Sequence, residues 1–251
     1  MKRIDSIKNE QVKSLKKLHT RKGREKAGKF LVEGYHLVEE ALKAEIVIET
    51  MMITEKAAIP ESWSVSDRDV IVVSDQVMKE ISETETPQGI VAVCEFPSPP
   101  NVEVETGKYL LIDRVQDPGN VGTMIRTADS AGMTGVILGE GCVDMFNNKV
   151  IRASQGSIFH LPIIKGDLMS WIRRFNEVSI PVYGTALEGA SVYSTIPRQS
   201  QFALIMGNEG EGVAKDLLIA TDQNIYIPIF GHAESLNVAV AAGILMYYLR
   251  T

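Results

Sequence analysis

Arg126 follows Asn120 by six positions in Asp117-Pro118-Gly119-Asn120-Val121-Gly122-Thr123-Met124-Ile125-Arg126. On a helix that spacing is nearly two turns, so an amide and a guanidinium can flank one site. An arginine set among Thr127, Ala128 and Ala131 wants a planar partner, a carboxylate or a phosphate. A structural arginine–glutamate pair answers the same need. Glu209 lies in Gly207-Asn208-Glu209-Gly210-Glu211-Gly212. There its carboxylate can orient a neighbouring side chain, accept from a ligand, or satisfy the N–H groups of its own loop. The glycines allow a ligand to approach the backbone, or simply make a tight turn. Ser235 and Asn237 open an apolar run at Ser235-Leu236-Asn237-Val238. Ser235 can cap a helix whose free N–H groups also suit a ligand. Asn237 needs hydrogen-bond partners if it is buried, and asparagine is a poor helix former.

These five residues can meet only if their elements bring them together. Each block sits where an apolar, strand-like run gives way to a polar loop. In an open α/β sheet, ligands collect at that edge of the sheet. The pattern predicts strands at 109–113, 135–138, 161–164, 181–185, 202–206 and 223–227. Helices are predicted from a cap at Asn120 to Gly132, near 147–154, at 167–178, at 213–219 and at 235–249. The last is apolar on nearly all faces, which suits a core or a subunit interface.

Ahead of this lies a smaller alternation. Residues 30–42 read as a strand turning into a helix, further strands fall at 46–53, 70–73 and 89–96, and a helix over 75–82 has Ser74 as its cap. Such alternation suits a small α/β sandwich. Pro97-Ser98-Pro99-Pro100-Asn101 reads as a stiff linker. The expected division is therefore 1–96, a linker over 97–106, and 107–251.

Composition removes several classes. The two cysteines, Cys94 and Cys142, and the scattered His19, His36, His160 and His232 show no metal-ligand spacing and no disulfide framework, so no metal is expected and a reducing cytoplasm is. No stretch is long and apolar enough to span a bilayer, and no apolar signal region follows Met1. There is no nicotinamide-type glycine fingerprint, no P-loop lysine and no nucleophile-elbow serine. The net charge is −6, yet residues 1–29 hold eleven Lys/Arg against three Asp/Glu, a local +8, leaving −14 elsewhere. That asymmetry suggests a basic arm for phosphate backbones, or else a solvated helix face. Val12, Leu15 and Leu18 make a short basic amphipathic helix the expectation in either case.

Taken together, the blocks resemble the three motifs of the SpoU/TrmH family of SPOUT RNA ribose 2′-O-methyltransferases. They are Asp117-Pro118-x-Asn120-x-Gly122-x-x-x-Arg126-Thr127, then Met206-Gly207-Asn208-Glu209-Gly210-x-Gly212, then Ile227-Pro228-Ile229-x-Gly231 with Ser235-Leu236-Asn237-Val238-Ala239-Val240-Ala241. The likeness spans residues 107–251. Phe30-x-Val32-Glu33-Gly34 resembles the ribosomal-protein-like substrate-binding domain often fused ahead of it.

The resemblance implies an open, mostly parallel sheet with a deep trefoil knot, a topology that general chain-tracing rules disfavour. It implies S-adenosylmethionine as cofactor, lined by Gly207, Ile227 and Leu236, with Thr185 a weaker candidate. It implies a homodimer, RNA as substrate, rRNA above all, and no membrane. Methyl transfer from a sulfonium to a ribose 2′-OH needs in-line geometry and handling of one proton. The family pattern gives Arg126 that role, with Asn120 and Glu209 orienting it and Ser235 and Asn237 holding loop and substrate. Arginine is reluctant to lose its proton, so stabilising the developing alkoxide or anchoring a phosphate stay open beside the role of base. A tRNA substrate is the alternative within the class. A non-catalytic RNA-binding or ribosome-assembly protein is the alternative outside it.

Overall fold

The computed structural model describes residues 2–63, 69–100 and 106–251. The expected linker over 97–106 is thus described only at its ends, since residues 101–105 lie outside the described residues. In chain order the elements are β1 (Lys2–Ile4), α1 (Glu10–Lys17), α2 (Arg21–Ala27), β2 (Lys29–Glu33), α3 (Tyr35–Lys43), β3 (Ile48–Thr54), β4 (Asp69–Val73), α4 (Asp75–Ile81) and β5 (Ile90–Glu95). There follow β6 (Lys108–Ile112), α5 (Pro118–Ser130), β7 (Gly135–Leu138), α6 (Asn148–Ser154), β8 (Ile163–Lys165), α7 (Leu168–Glu177) and β9 (Val182–Thr185). The chain closes with β10 (Ser191–Val192), β11 (Phe202–Met206), α8 (Lys215–Ala220), β12 (Gln223–Tyr226) and α9 (Val238–Leu249).

Two compact units result. The first is Met1–Ser98 with Asp144–Phe159, the second Pro99–Val143 with His160–Thr251. In the first, a sheet ordered β1-β4-β3-β5-β2 carries Leu31, Met52, Ile71, Val91 and Val93 on one face, packed with Val12, Leu15, Val77, Met78 and Ile81 of α1 and α4. Alternation sends Phe30 to the opposite face. There its ring lies 4.6 Å from Phe146, which lies 4.5 Å from Phe96. These stacked rings explain why residues 144–159 join this unit, whereas the sequence division left them with the second. Aromatic contacts of this kind add about 0.5–1.5 kcal/mol each beyond area burial.

The basic N-terminal stretch is part of the same core. Ile4, Val12, Leu15 and Leu18 are buried, and β1 pairs with β4. Arg24 is only 3% exposed: it meets Asp144 at 2.7 Å and donates to the carbonyls of Leu18 at 2.8 Å and His19 at 3.0 Å. The expected amphipathic helix is α1, capped by Asn9, whose side chain accepts from Gln11 N–H at 2.8 Å.

The second unit has a sheet ordered β10-β12-β9-β11-β6-β7-β8, and every pairing in it is parallel. Tyr109, Leu111, Ala203 and Ile205 pack on one face against Leu168, Trp171, Ile172 and Phe175 of α7 and Leu217 of α8. The intervening Leu110, Ile112 and Leu204 turn to the other face. Because all strands run the same way, the loops after β6, β11 and β12 leave the same carboxyl edge. The chain steps from β6 to β7 in one direction and from β11 through α8 to β12 in the other. The order therefore reverses between neighbouring β6 and β11, the position where open α/β sheets bind ligands.

Three local expectations change. Asp117, not Asn120, caps α5, accepting from Asn120 N–H at 2.7 Å with Pro118 at the first helical position, an arrangement that costs the helix no backbone bond. Asn237, not Ser235, caps α9, so Ser235 and Leu236 lie in the loop before it. The short edge strands β1 and β10 had no apolar run to announce them.

Candidate functional site

Asp117 and Pro118 start α5 at the carboxyl edge, and Val121, Met124, Ile125 and Ala128 bury its inner stripe. That spacing of three and four residues leaves Thr123, Arg126 and Ser130 exposed. Helix α9 lies beside α5 and runs the same way. Asn237 Nδ2 donates to Asn120 Oδ1 at 2.9 Å, a Cβ on Gly243 would sit 3.5 Å from Thr127 Cγ2, and Tyr247 O–H donates to the Ser130 carbonyl at 3.1 Å. The Asn237 side-chain oxygen meanwhile accepts from Ala239 and Val240 N–H at 2.9 and 3.3 Å, so one side chain caps α9 and reaches α5.

Glu209 completes the link. It accepts from Asn120 Nδ2 at 3.1 Å, from Asp117 N–H at 3.2 Å and from Gln116 N–H at 3.4 Å. Burial works against its charge, but the bonds from Asn120 and from the N–H groups of Glu209, Asp117 and Gln116 outweigh it and hold the carboxyl below its ordinary value. The three sequence blocks thus meet in one hydrogen-bonded path, Glu209 to Asn120 to Asn237.

The loop bearing Glu209 is closed by its own backbone. Asn208 N–H donates to the Gly212 carbonyl at 3.1 Å and Gly212 N–H returns to Asn208 at 2.9 Å. The Asn208 side chain accepts from Gly210 and Glu211 N–H and donates to the Arg114 carbonyl at 2.8 Å. Gly207 permits the closure, since a Cβ there would stand 2.1 Å from Val213 N. Arg114 clasps the loop from the β6 side, reaching Glu211 at 2.6 Å and Asp113 at 3.2 Å. Its hydrogen bond to Asp113, that residue's charge and the bond to Glu211 raise its pKa further. Arg114 itself sits at φ 53°, which costs a non-glycine residue about 1–2 kcal/mol.

Sequence reasoning quoted Asp117 and Asn208 within the motifs without giving them a role, and did not single out Arg114 or Asp113. Asp-Pro at a helix start was a readable cap signal; the Arg114 clasp had none. Arg126 and Ser235, both sequence candidates, are exposed and make no side-chain hydrogen bond or ion pair among the described residues. The structural arginine–glutamate pair is therefore not formed. Ile227 is half-buried, Leu236 is 37% exposed, and Thr185 donates to the Ile205 carbonyl at 2.9 Å. Away from this edge, in the first unit, His36, Glu39 and Glu40 bring possible ligand atoms within 4.8 Å of one another, but Lys43 already bridges Glu39 at 3.3 Å and Glu40 at 2.9 Å.

A wholly parallel sheet whose strand order reverses between β6 and β11, with a glycine-rich loop and a helix N-terminus at that edge, defines an open-sheet α/β protein in which three separate sequence blocks meet. The chain belongs to the SpoU rRNA methylase family, whose model matches residues 107–247, and an MRM3-like substrate binding domain model matches residues 9–92. It is 49% identical, over all of both chains, to the 23S rRNA (guanosine(2553)-2′-O)-methyltransferase RlmP of Bacillus subtilis. Among solved structures it is similar to the AdoMet-bound rRNA methyltransferase from Sinorhizobium meliloti, with a TM-score of 0.90 and 33% identity over 99% of this chain and 97% of that one. The SpoU methyltransferase AviRb from Streptomyces viridochromogenes, in complex with AdoMet, gives 0.86 and 27% over 96% and 97%.

Proposed function

We propose that this chain transfers a methyl group from S-adenosylmethionine to a ribose 2′-OH of large-subunit rRNA. The observation that carries this reading is the path from Glu209 through Asn120 to Asn237, which ties the three motif blocks together beside Arg126 of the same helix, whose side chain makes no hydrogen bond or ion pair among the described residues. The named activities of its full-length relatives support the substrate.

The residues at the carboxyl edge suit the cofactor. Among the described residues, the backbone of 227–236 makes no hydrogen bond within the chain, so its N–H and carbonyl groups are available to an adenosyl moiety. Ile227 and Leu236 offer apolar contact, and a Cβ at Gly231 would meet nothing within 4 Å. We assign Gly207, Ile227 and Leu236 to this binding surface. S-adenosylmethionine, when bound, supplies an electrophilic methyl on a sulfonium.

The chain's own residues then position and polarise the acceptor. The Arg126 guanidinium stabilises the alkoxide developing on the ribose oxygen, whose proton passes to solvent as S-adenosylhomocysteine leaves neutral, or holds the adjoining phosphate. Asn120 and Glu209 fix the start of α5 and so the direction of Arg126. Asn237 locks α9 to α5, and Ser235 presents its hydroxyl from the preceding loop. We further assign the second unit a trefoil knot, with the segment before α9 threading past the 207–213 loop. Exposed Val240 at 53%, Ile244 at 36% and Tyr247 at 50% on α9 are the face a homodimer would cover. The first unit holds RNA, and the setting is cytoplasmic.

The test is methyl transfer from labelled S-adenosylmethionine to RNA of a strain lacking this protein, followed by size fractionation and nucleoside analysis. A 2′-O-methylnucleoside in large rRNA is expected. Label in tRNA would replace the substrate. Absence of both transfer and cofactor binding would leave a non-catalytic RNA-binding protein. Arg126→Ala is expected to abolish turnover while cofactor affinity stays nearly unchanged.

A further inference from the structure

Within the first unit, a cavity of about 180 Å³ is bordered by Arg152, His36, Ser82, Thr86, Gln88 and Glu33. The proposed methyl transfer uses none of these residues. Arg152 Nη1 is enclosed, and nothing among the described residues hydrogen-bonds to it. An enclosed guanidinium nitrogen left unsatisfied is expensive, and its preferred partners are oxyanions.

The rest of the lining supplies donors. Gln88 Oε1 is committed to Tyr35 N–H at 3.2 Å, and its NH2 has no partner among the described residues. Thr86 makes no side-chain bond among the described residues. Helix α3 begins at Gly34 with no side-chain cap and no acidic residue in its first turn, and the N–H groups of the lining residues His36 and Leu37 have no hydrogen-bond partner among the described residues. Gly34, at φ 87°, keeps that approach open. Glu33 is not a competitor for Arg152. Its oxygens accept from Glu83 N–H at 2.8 Å, Thr84 O–H at 3.1 Å and Asn148 Nδ2 at 3.3 Å.

We infer that this cavity is a phosphate-binding pocket that grips one backbone phosphodiester of the substrate RNA, with Arg152 as its charged contact. The identity of the ligand rests on the reading of this chain as an RNA methyltransferase. The oxyanion chemistry rests on the pocket alone. Arg152 is carried by α6, in the segment that leaves the second unit's sheet after β7 and returns to it at β8. The grip is thus built partly from chain that the methyltransferase sheet sends out.

The experiment compares the full-length protein with Arg152→Gln and Thr86→Val in binding transcribed large-subunit rRNA across a salt series, with melting and S-adenosylmethionine binding as controls. Arg152→Gln should bind about tenfold more weakly, the scale of a lost charged hydrogen bond. Its log–log salt slope should be shallower by about 0.7–0.9, one phosphate contact. Thr86→Val should weaken binding while keeping the slope. Cofactor binding should not move, and melting should not fall. Unchanged affinity and slope in Arg152→Gln overturn the pocket. Inorganic phosphate that binds through Arg152 while RNA affinity ignores Arg152 also overturns it, in favour of a free-anion site. RNA binding that depends on Arg152 without any methyl transfer upholds the pocket and refutes the enzyme reading instead. No RNA binding by the parent protein refutes both.

Discussion

Asn237 and Asn120, 117 positions apart, share a hydrogen bond of 2.9 Å from Nδ2 to Oδ1. It fixes amide orientations on both sides. Asn237 must present its oxygen to the first N–H groups of α9, so its NH2 points to α5; Asn120 must then present its oxygen to Asn237 and its NH2 to Glu209. The order of donors and acceptors is set along the whole path, and reversing one amide would oppose like groups at each joint.

That polarity separates two roles of Asn237. Aspartate in its place still caps α9 but cannot donate to Asn120. Asn237→Asp should keep the melting temperature within a degree or two of the parent, as a surface change of under about 0.5 kcal/mol implies, yet lose most turnover. Asn237→Ala should lose turnover and also about 0.5–2 kcal/mol from the missing cap. Calorimetry and methyl-transfer assays on the two variants check this; equal turnover in Asn237→Asp and the parent would disconnect the path from catalysis.

Glu209 gives the path a pH dependence. Its carboxyl is held below the ordinary value of about 4.3. Since the folded state lowers this pKa, the stabilisation is fully present above the unfolded value and fades as pH falls through the folded one. The bonds from the start of α5 to Glu209 should therefore survive acidification through the normal carboxylate range and weaken only below it. Glu209→Gln should abolish that component. Subtracting the variant's unfolding free energy from the parent's across acidic pH should leave a step below about pH 4.3.

Gly207 and Gly210 share a loop but not a constraint. A Cβ on Gly207 would lie 2.1 Å from backbone nitrogen of Val213, whereas one on Gly210 would meet only Asn208 Oδ1 at 3.6 Å. Gly207→Ala should destabilise by about 1–3 kcal/mol, the scale of overpacking, and weaken S-adenosylmethionine binding by displacing the loop. Gly210→Ala should melt and bind like the parent. Titration of both variants with the cofactor discriminates them.

Much of this architecture was legible because strand and loop chemistry alternate cleanly. Runs such as Phe202–Met206 and Gly135–Leu138 are buried throughout, and their ends mark the loops that hold the three blocks. The helix starts were misplaced by a few residues because Asp117, Asn120, Ser235 and Asn237 are all competent caps, and only tertiary contact chooses among them. The membership of 144–159 in the first unit was hidden for a different reason. It depends on Phe146 finding Phe30 and Phe96, a meeting between distant residues that no local period records. Similarly, the exposure of Arg126 follows from which face of α5 is buried, while the charge run at the N-terminus concealed that Arg24 is a core residue.

The burial of Arg24 changes how the basic N-terminal stretch must be tested. Deleting residues 1–29 would remove β1, α1 and α2 with Ile4, Val12, Leu15 and Leu18 from the first unit's core, and loss of RNA binding would then report unfolding. Several of its cations are already committed, Lys16 to Glu80, Arg3 to Glu55 and Arg21 to Glu25. Lys8, Lys17, Lys22 and Lys26 are exposed and make no ion pair among the described residues. Changing these four to Gln should leave melting unchanged, because surface substitutions lie within about 0.5 kcal/mol. The slope of RNA affinity against salt should fall by about 0.7–0.9 for each lysine that touches a phosphate. Arg24→Leu should do the reverse. It removes the guanidinium from the buried Asp144 and destabilises the unit by about 3–5 kcal/mol, with no direct change in the salt slope of the protein that remains folded. A quadruple variant with the parent's slope would show that this face is merely solvated.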